Sequence, residues 1–209
     1  MLIVDMAKRD IVGELTAELN EATRRARQLV DRTDGRVFTV RPDPKRWSAA
    51  ECISHLTLTG QAFVPIIQSA IVAAKKSGSK PKRRPRMDVV GGVLRWFMEP
   101  PIKRRFTTAP PFVPRAARPK AEAFAEFASL QSQLMYEALE ANEIDFGSVM
   151  VVSAFNRRIH YNLYSAFRII AAHERRHLWQ AEHAVDDVMK RFTPAARNPA
   201  PSSSLSETR

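Results

Sequence analysis

The chain is poor in several things, and each shortage excludes something. One cysteine, Cys52, stands in 209 residues, so no intrachain disulfide can form and nothing demands an oxidising compartment. A cytoplasmic setting is the expectation. The opening "MLIVDMAKRD" has too short an apolar run, broken by Asp5, for a secretory signal, and no apolar run reads as approaching the ~20 residues of a membrane span. Aromatic residues are 8% of the chain, and few accompany the basic clusters, which leaves little for stacking on bases. No stretch alternates convincingly between apolar and polar residues as strands do, and no internal repeat is visible.

What remains is 44% hydrophobic and 26% charged, enough to bury the core of a single domain, expected over residues 1–193 with a disordered tail at 194–209. The net charge of +11 suits a polyanion. Its distribution does not. Much of the excess lies in "KKSGSKPKRRPR" (75–86) and "IKRRF" (102–106), where prolines interrupt the chain and no recognition helix is evident, so a solvated basic loop is the favoured reading and a polyanion or acidic partner the other.

Apolar periodicity predicts four helices. From about Met6 to Arg32, Ile11, Leu15, Leu19, Ala22, Ala26 and Leu29 recur at three- and four-residue steps until "DG" at 34–35. Ser48 and Glu51 spell a capping box that opens a second helix running towards Lys76, with Trp47 placed to pack on Cys52. Residues 77–119, rich in proline and glycine, read as a long crossover whose "VVGGVLRWFMEP" could be a short helix or an extended piece and whose Phe112 and Val113 could dock on the bundle. A third helix follows from near Pro119 to about Asn142, and a fourth from His160 or Tyr161 to Arg191. These elements make an all-α four-helix bundle in which helices two and three run parallel.

The stretch "IIAAHERRHLWQAEH" (169–183) holds three of five histidines. On a helix, His173 and His177 stand ~40° apart around the axis and ~6 Å along it, so both can reach one ion. Chance supplies such a spacing often enough that a further ligand is needed. His55, two turns into the second helix, is a candidate, although a histidine among apolar residues is more often a hydrogen-bonded core group.

"RWSAAECISHL", followed after a long gap by "HERRHLWQAE", resembles the DinB-like superfamily of metal-binding four-helix bundles. "PPFVPRAARPKAEAFAEFASLQSQLMYEALE" and "NLYSAFRIIAAHERRHLWQ" are similar to its crossover with third helix and to its fourth, so the likeness covers roughly residues 45 to 190. The resemblance implies a metal triad of His55, His173 and His177, and either thiol S-transferase or metal-dependent hydrolase activity. One departure is "RRIHYN", where family members often carry "HP" before a glycine; this implies a different cavity mouth.

Three neutral imidazoles leave coordination positions open, as a catalytic site requires. One divalent ion per chain is expected, zinc or nickel first and iron or manganese as alternatives, with a low-molecular-weight thiol as a further cofactor. Gln180 and Asn162 are candidates to orient a ligand or water, with capping or solvation as the equal alternative; Glu51 could hold His55, although its capping role is favoured. Arg175 should be solvated, His160 and His183 structural, and Cys52 packed rather than nucleophilic. The expected partner is a small-molecule substrate, with a homodimer left open and neither a membrane nor nucleic acid favoured. Basic residues between Lys75 and Arg86 are expected to recognise a carboxylate on the thiol if they reach the cavity mouth. A non-catalytic, metal-stabilised binding module and a basic nucleic-acid-binding protein are the competing functions.

Overall fold

The spacing of apolar groups becomes four long helices. The computed structural model describes residues 2–192 except 82, 102 and 104–106, with side chains from residue 11 onward; the tail lies outside the described residues. The long helices are α1 (Leu2–Arg32), α3 (Ala49–Lys76), α5 (Lys120–Glu140) and α6 (Leu163–Phe192). Two short ones, α2 (Gly35–Thr39) and α4 (Val89–Met98), lie in the connections, so the architecture is all-α. The α1 stripe from Ile11 to Leu29 is buried throughout. After "DG" stops α1, the Asp34 carboxylate accepts from the Arg36 amide at 2.8 Å and opens α2, whose Phe38 is fully buried.

Ser48 starts α3 as a capping box: its hydroxyl accepts from the Glu51 amide at 3.2 Å, and Glu51 accepts from the Ser48 amide at 2.9 Å. An 18-residue window of α3 has mean hydropathy 1.5, long and apolar enough by composition to cross a membrane. That corrects the expectation that no run approaches a span. The apolar groups have a partner inside the bundle, however, because Ile53, Leu56, Phe63, Ile67 and Ile71 are buried in its core.

Pairings along the helices fix their directions. Gly60 abuts Leu130, Gln68 Nε2 donates to Glu137 at 2.7 Å, and Lys75 pairs with Glu140 at 2.6 Å, so α3 and α5 run parallel as expected. Arg25–Glu182 at 2.8 Å and Arg175–Glu18 at 2.9 Å make α1 and α6 parallel. Arg46, just before α3, reaches Asp187 near the end of α6 at 2.8 Å, which sets those two antiparallel. The core has two clusters: one of large groups such as Leu19, Phe63, Leu134 and Phe167, the other alanine-rich around Ala26, Ala50, Ile53 and Ala181.

The connector before α6 differs from expectation. Met150–Val152 (β1) pairs antiparallel with His160–Asn162 (β2), Val151 opposite Tyr161, so α6 begins at Leu163 rather than at His160 or Tyr161. Asp88 explains the shift. Its carboxylate accepts from the Gly91 amide at 2.8 Å, capping α4, and also from the Asn162 amide at 2.7 Å and the Ser165 hydroxyl at 2.9 Å. Residue 162 is thereby held extended while Asn162 Oδ1 accepts from the Ser165 amide at 2.8 Å and caps α6. Gly91 is required at this crossing, since a Cβ there would overlap the Ser165 side chain. The ambiguous "VVGGVLRWFM" is thus a helix laid along α6.

Candidate metal centre

Antiparallel packing of α3 on α6 brings the three candidate ligands together. His55, His173 and His177 are 3%, 7% and 8% exposed, and one ring nitrogen from each lies within 4.8 Å of the others. His55 Nε2 is 3.3 Å from His173 Nε2. Two nitrogens each about 2.05 Å from one ion, at a tetrahedral angle, are separated by about 3.3 Å, so this pair fits a shared metal. A second observation agrees. Nδ1 of His177 is buried with no hydrogen-bond partner among the described residues, an arrangement that costs free energy unless something occupies it.

His55 is oriented by its other nitrogen: Nδ1 donates to the Phe112 carbonyl at 2.7 Å, which leaves Nε2 bare towards His173. Phe112 sits in a short 3-10 turn, Pro110–Phe112, so the crossover docks through a backbone oxygen. Trp47 covers the outer side, with ring centroids 4.9 Å from His55 and 6.0 Å from His177; Phe155, in the β1–β2 loop, stands 5.3 Å from His173.

Burial favours the neutral ring at all three. It lowers the pKa of His55 despite the Phe112 carbonyl, which pulls the other way. His173 and His177 are held well below the usual imidazole range, by burial first and then by neighbouring imidazoles and the Arg176 charge. Gln180 favours the protonated His177 ring but does not offset these. Neutral imidazole is the form that binds a metal.

The histidines form one wall of a cavity of about 970 Å³. α4 contributes Phe97, the crossover Phe112, the hairpin Phe155 and α6 the successive positions Ile169, His173, Arg176, His177 and Gln180. Gln180 is therefore where a residue acting on the site must be. Asn162 is not: it caps α6 and its Nδ2 donates to the Arg86 carbonyl at 2.9 Å. Glu51 serves its cap and accepts from Arg41 Nε at 2.9 Å. Burial pushes that carboxyl up, but Arg41 and Ser48 outweigh it and the pKa is lowered.

Other placements revise the sequence reading. Arg175 is not simply solvated; it joins α6 to Glu18 of α1 at 2.9 Å and to Glu99 at 3.0 Å. His183 is exposed and off the triad, yet it borders the cavity, its ring 4.0 Å from Trp179. His160 is exposed on β2. Cys52 is buried at the border of the cavity, and burial pushes its thiol up to about 12, which disfavours the thiolate. None of the described residues of 75–86 borders the cavity; Lys75 and Arg84 instead pair with Glu140 and Glu14. "HERRH" also spells His-Glu-x-x-His, in which the glutamate of a metalloprotease acts as base. Glu174 does not face the cavity: it is buried against α5, where Gln131 Nε2 donates to it at 2.5 Å.

A family model describing the DinB superfamily matches residues 18–181. The chain belongs to that superfamily. No curated protein and no solved structure matches it. Within this DinB chain the three-histidine group is compatible with a metal-binding protein. Arg176 was missed by sequence reasoning, although its signal was present: three residues after His173, it falls on the same helical face.

Proposed function

We propose that this DinB protein is an enzyme that holds one divalent ion through His55, His173 and His177 and carries out thiol transfer or hydrolysis on a small molecule. One observation carries the reading: three buried, neutral imidazoles converge on the wall of a large cavity, and no fourth His, Cys, Asp or Glu joins them among the described residues. A closed structural site has four protein ligands; an open one leaves room for substrate. When bound, such an ion supplies Lewis acidity, lowering the pKa of water or a thiol and polarising a carbonyl.

The protein's own groups do the rest. Phe112 fixes the His55 tautomer through its carbonyl, so the Nε2 lone pair is presented without reorganisation. Trp47 and Phe155 pack their aromatic rings against the histidines, giving that wall an apolar border. Cys52, with its thiol held protonated, does not compete as the nucleophile. In the transfer reaction the thiol would therefore come from a second small molecule.

Protein purified without added metal or affinity resin should contain about one equivalent of zinc, nickel, iron or manganese by elemental analysis, and alanine at any one of the three histidines should lose most of it. A His55→Ala protein with a full equivalent at unchanged affinity sinks the triad. Chelation should leave far-UV helicity largely intact, because the helices have their own core; collapse would favour a structural metal. A low-molecular-weight thiol should alter the spectrum of cobalt-substituted protein, and a thiol-blind spectrum turns the proposal from transfer to hydrolysis.

A further inference from the structure

The bundle accounts for one face of α4 and leaves the other bare. Gly91 is buried against Ser165, and Leu94, Phe97 and Met98 border the cavity. The opposite face carries Val89, Val93 and Trp96, at steps of four and three residues, which sets them on one stripe. They are 83%, 49% and 57% exposed, and Val90 adjoins them at 44%. Single exposed apolar groups are ordinary, but a contiguous run of them on one helix marks a surface that meets something apolar. Val93 also borders the cavity, so the stripe reaches the cavity's edge.

The stripe is fixed in place and basic at both ends. Asp88 caps α4 and ties its start to Asn162 and Ser165, so the apolar groups are presented without being ordered at binding. At one end Lys103 Nζ stands 5.1 Å from the centroid of the Trp96 ring. At the other, Arg86 is exposed three residues before Val89, its backbone held where Asn162 Nδ2 donates to its carbonyl at 2.9 Å. Neither cation joins an ion pair among the described residues, and the acids nearest in sequence are engaged: Asp88 in its cap, Glu99 by Arg95 and Arg175.

We propose that α4 docks the protein on an anionic phospholipid surface, Val89, Val93 and Trp96 entering the headgroup boundary while Arg86 and Lys103 meet lipid phosphates. Short amphipathic helices with an aromatic group on the apolar face and cations beside it bind membranes in this way. Charge decides against the other apolar partner at hand. A second copy packed on this face about a two-fold axis would set the same basic ends against themselves, in a chain of net charge +11. Anionic headgroups answer those cations instead. Because the cavity lies behind the same helix, docking brings its α4 edge to the lipid boundary, from which an apolar substrate can enter. The inference reverses the sequence-based expectation of no membrane partner, and it depends on neither a bound metal nor a particular reaction.

The test sediments the full chain with vesicles of phosphatidylcholine alone and of an equal mixture of phosphatidylcholine and phosphatidylglycerol. Binding to the mixed vesicles should be tighter by about tenfold or more at low salt and should weaken as salt is added. Val89→Ser combined with Trp96→Ser should lower that binding about tenfold or more, with far-UV helicity and metal content unchanged because both side chains are exposed. Arg86→Glu combined with Lys103→Glu should remove the preference for the anionic vesicles. Tryptophan emission should shift to the blue on the mixed vesicles, and the shift should be lost in Trp96→Phe, which locates the contact on α4. No binding at millimolar lipid, equal binding to the two vesicles, or binding that survives Val89→Ser with Trp96→Ser overturns the proposal. So does a lipid-free dimer that this double variant makes monomeric, since a second copy then covers the stripe, and so does salt-sensitive retention on DNA without vesicle binding.

Discussion

On one face of α6, His173, Arg176, His177 and Gln180 border a cavity that no described acidic side chain touches. On the other, Glu174 is buried against Gln131, and Arg175 spans Glu18 and Glu99. The residues are interleaved within two helical turns, yet their electrostatic roles are separate. Carboxylates beside the histidines would favour imidazolium and set protons in competition with a metal. Kept on the far face, the same kind of group ties α6 to α1 and to the end of α4, fixing the rotation at which the imidazoles meet His55. The helix can thus be anchored by ion pairs without paying for them at the site.

The sharpest way to break this division is to remove the buried acid. Burial pushes the Glu174 carboxyl up to about 8, against Gln131 and Arg175, which pull it down. The folded state therefore keeps a proton that the unfolded chain, near 4.5, has lost. Stability from this group is fully present below pH 4.5, declines as pH rises through the window, and levels off above about 8, a loss on the order of 5 kcal/mol. Glu174→Gln keeps the shape and has no proton to lose. In chelated protein, the difference in unfolding free energy between variant and wild type should grow in the variant's favour from pH 5 to pH 8. A difference that stays flat with pH would show that Glu174 is ionised in the folded state.

Cutting the anchor should cost less. Arg175→Met removes contacts to Glu18 and Glu99, but Glu18 retains Arg168 and Glu99 retains Arg95. Denaturant unfolding should show a loss of about 1–2 kcal/mol, with metal content unchanged. If metal is lost in proportion, the two faces are coupled and the division fails.

Where the relevant signal is local, the sequence could be read. The four long helices follow from apolar spacing within single segments, and Ser48 and Glu51 meet within one turn, so the start of α3 is legible to the residue. The triad was legible because His173 and His177 share a turn and the resemblance supplied His55. What escaped depends on distant pairings. Asp88 meets Asn162 and Ser165 more than 70 residues away, and that contact helps to lay α4 along α6, to hold residue 162 extended and to put Phe97 beside the site. His55 likewise finds its support in the Phe112 carbonyl, 57 residues on, which no side-chain motif can reveal. Glu51 was correctly favoured as a cap because its nearest donors are sequence neighbours. Arg175 was misjudged for the opposite reason: both its acids come from other segments.

The smallest expected effect is at Gln180, and it separates a residue that orients a ligand from one that merely borders it. Gln180 is half-buried, lines the cavity and, by a hydrogen bond, favours the protonated His177 ring. The amide thus acts on the ring as a hydrogen-bonding neighbour that favours its protonated form. Orienting partners of metal-bound histidines typically contribute 10–100-fold to affinity; a half-buried amide at the cavity border should sit at the low end, so Gln180→Leu should weaken metal binding by no more than about tenfold. Because His177 is already neutral well below pH 7, removing a group that favours its protonation should leave affinity unchanged between pH 7 and pH 8. Competition against a chromophoric chelator at both pH values measures this directly. A loss of 100-fold would make Gln180 an orienting group in the metal-bound state, and the cavity face of α6 would then carry a support of its own rather than relying on α1 and α4 alone.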